Sequence, residues 1–302
     1  MSVRLSNTDE YVSLLDKYDT WLFDCDGVIW KGDSMIEGAV EVLNLLRHRN
    51  KKVVFVTNNA SKSRRSYRTK FDQLGVEAHV DEIYGSAYAA AVYLSSVINL
   101  PKTKRVYVIG TSGLEEELQN EGFFVLGGSD PADCTLEPFS LENFSLDPDV
   151  GAVVCGLDQM ITYTKFSKAF QYLTRIPNCH FIATNEDSTY PTAHGTLPGG
   201  GSLSAVLRYA IGRDPVCTGK PQQVMLDCIK AKVSYDPTRT IMVGDRLNTD
   251  ILFGQTGGLD TLLVLTGVTT ENDITGPDAS PIVPKFVTNS IGDLRVISTK
   301  AN

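Results

Sequence analysis

Two rhythms of apolar and polar positions alternate along this chain. Residues 20–24 are a short apolar run closed by Asp24, which predicts a buried strand. Apolar residues at 39, 42, 43, 45 and 46 trace one face of a helix over 38–49. Residues 52–57 predict a second strand, with Val53, Val54, Phe55 and Val56 running into Thr57, Asn58 and Asn59. A basic amphipathic helix is expected over 63–74, closed by Gly75. Further strands are expected at 106–110, 240–244 and 261–265, with a helix at 114–120. Strands separated by helices predict an α/β fold built on a parallel sheet.

The longest charge-free stretch, 83–101, is about as long as a membrane span. It carries Gly85, Ser86, Ser95, Ser96 and Asn99 and closes on Pro101, so it reads as a strand followed by a buried helix. The first residues mix charges with short apolar runs and offer no signal-peptide segment. Between Arg105 and Lys165 stand eleven acids and no Lys or Arg, among turns such as Gly127-Gly128 and Asp147-Pro148. That shift in composition predicts an inserted domain at 104–214 within a core of 1–103 and 215–302.

Composition bounds the function. The 302 residues carry 28 Lys+Arg against 36 Asp+Glu, a net charge of −8, with 42% hydrophobic residues. These values describe a folded globular chain and exclude disorder. The acidic balance argues against nucleic acid or a membrane surface as partner. Seven basic and fourteen acidic residues fall in 104–214, a net of −7, which leaves the core at −1. The charge therefore excludes large polyanions and leaves room for a small phosphorylated partner. Six cysteines without a CxxC pair, and no secretory segment, predict free thiols and a cytoplasmic location, with nuclear access left open.

Polar residues gather at three strand ends: Asp24, Asp26 and Gly27; Thr57, Asn58 and Asn59; and Gly244, Asp245 and Asp250. Open parallel sheets bind ligands outside the carboxyl ends of their strands, so these segments can meet in one crevice. Lys220, in Thr218-Gly219-Lys220-Pro221, supplies a cation. Such a set suits phosphoryl transfer. One carboxylate attacks phosphorus, and a second carboxyl two residues on protonates the leaving oxygen. A hard cation such as Mg²⁺ takes one or two carboxylates plus water, while Lys220 and backbone N–H groups after Thr57 hold phosphate oxygens.

Each feature also has a plainer reading. Paired acids at a strand end are often solvated turn residues, Thr57 and Asp250 could cap helices, and Lys220 could be a surface lysine in a turn. Cys25, between the two acids, invites reading as a redox switch; its plainer reading is a small apolar residue facing away from the site, since alternate strand residues face opposite ways. The basic cluster Arg64, Arg65, Arg68 and Lys70 reads as a solvated helix face. Residues 198–202 are glycine-rich but lack the Gly-Lys-Ser/Thr ending of a phosphate loop.

Taken together, Asp24-x-Asp26-Gly27-Val28, Thr57-Asn58-Asn59, Gly219-Lys220-Pro221 and Gly244-Asp245-(x)4-Asp250 resemble the four motifs of the haloacid dehalogenase (HAD) superfamily, in order and across nearly the whole chain. The Thr-Asn-Asn form and the large insertion resemble its NagD-type branch, which includes para-nitrophenylphosphatases and 2-phosphoglycolate phosphatases, with pyridoxal phosphatases as a sister group. The resemblance implies a HAD-like Rossmannoid core with a parallel sheet plus an inserted α/β cap of the C2 type, whose closure selects small substrates. It implies Asp24 as nucleophile and Asp26 as general acid/base. Mg²⁺ would sit on the Asp24 side chain, the Asp26 carbonyl and Asp245. Thr57, Asn58, Asn59 and Lys220 would bind phosphate, with Asp250 orienting Lys220 from behind. The dehalogenases lack the second acid, so Asp26 favours a phosphatase. In residues 183–191, Tyr190 aligns with a substrate-contacting histidine of pyridoxal phosphatases, which favours small phosphorylated acids instead. Pyridoxal phosphatase, phosphotransferase and non-catalytic metabolite sensor stay open as alternatives. The resemblance also points to homodimers through the cap; the residues themselves leave the oligomeric state open.

Overall fold

The computed structural model describes residues 2–192 and 195–300. The chain divides into two compact units, one of Met1–Thr57, Arg68–Tyr84 and Lys220–Asn302, the other of Asn58–Tyr67 and Gly85–Gly219.

In the first unit the apolar runs become neighbouring strands of a seven-stranded sheet. Its order is Val3–Arg4, Phe286–Thr288, Asp260–Val264, Thr240–Gly244, Thr20–Phe23, Lys52–Thr57 and Ile83–Gly85. Pairing is parallel: Leu22 sits between Met242 and Val54. All residues of Thr20–Phe23 and Thr240–Gly244 are buried, as expected of strands covered on both faces. The helix Ala39–His48 buries Val42, Leu43 and Leu46 on the face that the periodicity marks. It starts at Gly38, where φ is 81° and a Cβ would lie 2.8 Å from the Gly292 Cα, leaving no room for a side chain. The two central strands, Thr20–Phe23 and Thr240–Gly244, end at Asp24 and Asp245, the position where doubly wound sheets place their ligands.

The second unit has its own five-stranded parallel sheet, ordered Val216–Cys217, His180–Ala183, Val150–Cys155, Arg105–Ile109 and Phe124–Gly127. The charge-free stretch is, as read, a strand (Ile83–Gly85) followed by a helix (Ser86–Val92) buried at every residue. Ala87, Ala90, Ala91, Leu94 and Leu100 share one apolar cluster with Val106, Val108, Leu114 and Leu118. For that reason residues 85–103 pack with the second unit, whereas the composition boundary drawn at 104 puts them in the core. Charge marks where the acidic segment begins, but packing of small apolar side chains decides which sheet a helix joins. The turn-rich acidic segment is tied down by Asp133, which accepts a 2.6 Å bond from the Tyr107 hydroxyl and pairs with Lys168.

All six cysteines are free, and no helix among the described residues is long and apolar enough to cross a membrane.

Candidate active site

The site of the first unit begins where Thr20–Phe23 runs out. The Asp24 N–H still donates to Val243 O at 2.9 Å, so the aspartate is held in register with its neighbour strand. A tight turn follows: Cys25 O accepts from the N–H groups of Val28, Ile29 and Trp30 at 3.3, 2.9 and 3.2 Å. Gly27 opens this turn with a φ of 89°, and a Cβ there would lie 2.6 Å from Asp245 Oδ2. The turn leaves Asp26 exposed, with its Oδ1 accepting from Trp30 Nε1 at 2.8 Å. Cys25 is fully buried, and burial together with Asp24 and Asp26 pushes its thiol well above the ordinary range, so it is an inert packing residue.

Lys220 lies at the centre. Its Nζ donates to Asp24 Oδ1 at 2.6 Å, Asp250 Oδ1 at 2.7 Å and Val56 O at 2.8 Å. Burial alone would lower its pKa; the charges of Asp24 and Asp250 overturn that and hold it protonated, well above its ordinary value. Asp250 is held from behind, its Oδ2 accepting from the N–H groups of Asp245 and Arg246 at 3.2 and 3.1 Å. Gly244 makes this possible, since a Cβ there would fall 2.1 Å from the Asp250 Cβ.

Asp245 sits in a cradle that motif reading misses. Its Oδ2 accepts from Val268 N at 2.7 Å, its carbonyl from Thr269 N at 3.0 Å, and Thr266 Oγ1 donates to Gly27 O at 2.5 Å. A Cβ on Gly267 would lie 1.8 Å from Asp245 Oδ2. The available signal is a fifth strand end, Asp260–Val264, followed by turn-forming Thr266-Gly267. Trp30 is the other omission, and the signal is its place four residues after Asp26.

The donor set fits a divalent cation. Carboxylate oxygens of Asp24, Asp245 and Asp250 lie within 4.8 Å of one another, with Lys220 as the cation bonded to Asp24 and Asp250. Burial and the charge of Asp250 push Asp245 up to about 7, the electrostatic cost of crowding that a divalent cation relieves. Asp250 spends both oxygens on Lys220 and backbone N–H groups. Among the described residues no group donates to Asp24 Oδ2 or Asp245 Oδ1, so these two carboxylates, and not Asp250, have ligand capacity to spare. The Asp26 carboxylate is not a member of this cluster.

Other expected phosphate ligands fall differently. Thr57 is buried at the end of its strand, directly after the Val56 carbonyl that holds Lys220. Asn58 and Asn59 belong to the second unit. There Asn58 O accepts from Ser86 Oγ at 2.7 Å and Asn185 Nδ2 at 2.8 Å, and Asn58 Nδ2 donates to Asp187 Oδ2 at 3.2 Å. Asn59 is exposed, and its Oδ1 accepts from Ser61 N and Oγ at 2.9 and 2.6 Å, a local turn. The next helix is Arg64–Gln73, close to the expected 63–74. Tyr190 stands on the hairpin Thr189–Thr192 and Gly195–Pro198 of the second unit, its hydroxyl accepting from Gln159 Nε2 at 2.7 Å.

The first unit is thus a parallel α/β unit whose central strand ends carry a lysine-bound aspartate, Asp24, a second acid two residues on, Asp26, and a neighbouring carboxylate, Asp245. Residues 21–124 match the family model of haloacid dehalogenase-like hydrolases, and residues 217–294 match a HAD-hydrolase-like model. The chain is 45% identical to 4-nitrophenylphosphatase of Schizosaccharomyces pombe, over 97% of this chain and 99% of that protein. It is 45% identical to phosphoglycolate phosphatase 2 of Arabidopsis thaliana, over 97% and 98%. A solved glycerol phosphate phosphatase of Mycobacterium tuberculosis, in complex with magnesium, superposes with a TM-score of 0.77 at 30% identity, over 93% of this chain and 77% of that one. The chain belongs to the haloacid dehalogenase-like hydrolases, among relatives that are phosphatases.

Proposed function

We propose that this protein is a Mg²⁺-dependent phosphatase that hydrolyses small phosphate monoesters through an aspartyl-phosphate on Asp24. The observation that carries the reading is Lys220, buried and bonded to Asp24 and Asp250 at 2.6 and 2.7 Å beside two carboxylates with oxygens to spare.

The chemistry follows from these groups. Lys220 fixes the plane of the Asp24 carboxylate and offsets the charge gathering around phosphorus. Asp24 attacks phosphorus as nucleophile, and Asp26, exposed two residues on, gives its proton to the departing ester oxygen. Asp26 then removes a proton from the water that releases phosphate from Asp24. Asp24, the Asp26 carbonyl and Asp245 would hold Mg²⁺, which when bound supplies positive charge to the phosphate oxygens. Asp250 keeps Lys220 in place, and Thr57 and Asn58 contribute phosphate contacts. Relatives named for 4-nitrophenyl phosphate and phosphoglycolate support small monoesters as the substrate class, 2-phosphoglycolate first. Free cysteines support a reducing compartment, and we place the protein in the cytoplasm.

The test is phosphate release from 2-phosphoglycolate, glycerol 3-phosphate and para-nitrophenyl phosphate, with Mg²⁺ and after chelation, in wild type and Asp24→Asn. Loss of release on chelation and in the variant, with its unfolding transition retained, is expected. Near-wild-type turnover by Asp24→Asn would overturn the mechanism.

A further inference from the structure

Asp26 is exposed, and an exposed carboxyl on a short turn has several rotamers open to it. One feature removes that freedom. Trp30 returns alongside Asp26 because three N–H groups converge on Cys25 O and Gly27 N donates to Trp30 O at 2.7 Å, forming a bridge between residues 26 and 30. The Trp30 side chain is wholly buried. Phe71 packs edge-on to its ring, with centroids 4.9 Å apart. Lys70 Nζ lies 4.4 Å from the ring centre and donates to Gly32 O at 3.1 Å. The indole N–H donates to Asp26 Oδ1 at 2.8 Å. Among the described residues no group donates to Asp26 Oδ2.

We propose that Trp30 is a positioning residue for proton transfer by Asp26. An indole N–H can only donate, so Oδ1 must remain an acceptor and the transferable proton is confined to Oδ2. As Asp24 bonds to phosphorus and the ester P–O bond breaks, the leaving oxygen keeps the bonding pair and takes that proton. Asp26 is left as a carboxylate whose charge strengthens the indole hydrogen bond. In the second half-reaction Asp26 Oδ2 takes a proton from water, the water oxygen bonds to phosphorus and the Asp24–phosphorus bond breaks. Lys70 and Phe71, on the face of a helix whose charges read as mere solvation, thereby hold the ring that aims the acid.

This inference rests on the phosphatase reading, and the experiment separates the two. kcat/KM covers the first half-reaction, where an alkyl phosphate needs its leaving oxygen protonated and para-nitrophenyl phosphate does not. Trp30→Phe should lower kcat/KM for an alkyl ester such as glycerol 3-phosphate about tenfold more than for para-nitrophenyl phosphate, part of the roughly 10²–10⁴-fold that a general acid supplies. Asp26→Asn should show the same split, larger. Phe71→Leu, which loosens the ring but keeps the N–H, should lower the melting temperature and give a split in the same direction, smaller than that of Trp30→Phe. If Trp30→Phe folds poorly, site-specific replacement of Trp30 by its benzothienyl isostere, which removes only the N–H, should reproduce the split. Equal losses for both esters with Trp30→Phe or the isostere, beside a clear split in Asp26→Asn, would overturn the role of Trp30. No split in Asp26→Asn would instead overturn Asp26 as the acid, and this inference with it.

Discussion

Lys220 and Asp250 form a 2.7 Å ion pair in which the side chains are only 2% and 1% exposed. A buried pair of this kind is weak evidence of net stabilisation, but removing one partner leaves the other charge uncompensated, at a cost of about 3–5 kcal/mol. The pair is therefore best read as a positioning device that holds Lys220 on Asp24.

Lys220→Met should abolish turnover and lower the unfolding free energy by about 3 kcal/mol, read as a lower urea midpoint at unchanged slope, because Asp24 and Asp250 lose their cation. Asp250→Asn keeps an acceptor for Lys220 and should fold better than Lys220→Met while losing most activity. Equal stability of Lys220→Met and wild type would contradict this electrostatic account.

Asp245 links stability to pH and to metal. In the metal-free protein its pKa is raised to about 7, against about 3.9 in an unfolded chain. The folded state then binds the extra proton between these values, so its stabilising contribution is present below pH ~4 and is lost as pH rises through about 7. Added Mg²⁺ competes with that proton. It should raise the melting temperature more at pH 8 than at pH 5.5; at a hundred times its dissociation constant at pH 8, Mg²⁺ adds about 2.7 kcal/mol of stability. Asp245→Asn should remove both the pH slope and the Mg²⁺ response in thermal melts.

Gly267→Ala isolates the cradle. Its Cβ would meet Asp245 Oδ2 at 1.8 Å and must displace that carboxylate. The Mg²⁺ concentration for half-maximal activity should rise on the order of tenfold, as for groups that orient metal ligands. Gly32→Ala has a φ of 61° but no neighbour within 4 Å; it should cost about 1 kcal/mol of stability and leave the Mg²⁺ response unchanged.

The basic cluster divides by environment. Glu117, 1% exposed, pairs with Arg64 Nε at 3.1 Å, and the Arg64 guanidinium lies 3.4 Å from the Tyr88 ring centre. Glu117→Ala should destabilise the protein by about 3 kcal/mol in chemical denaturation. Asp72→Ala, which removes a 3.9 Å pair with Arg68 exposed on both sides, should stay within about 0.5 kcal/mol.

Much of the scaffold was legible in advance. The runs at 20–24, 52–57 and 240–244 appear as the three adjacent strands they predict, because a strand covered on both faces must be apolar at nearly every position. Asp24 and Asp245 stood out because each acid interrupts such a run at its carboxyl end. Lys220 was weaker: only its order among the other motifs separated it from a surface lysine, and its burial is supplied by Val56, Asp24 and Asp250. Residues 85–103 were misassigned because an alanine-rich helix carries no mark of which sheet it will cover. Asn59 follows a motif, yet its side chain closes a local turn.

Sequence alone determined which residues form strands and which charges stand at their ends, since hydrophobic period and turn preference act over a few neighbouring residues. Which carboxylate oxygens are spent and which stay open was decided only by tertiary structure. That depends on donors arriving from far along the chain: Val268 N to Asp245, Lys220 Nζ to Asp24 and Asp250, and the Trp30 indole folded back onto Asp26. A hydrogen bond requires a donor within about 3 Å, and no local pattern records that distance.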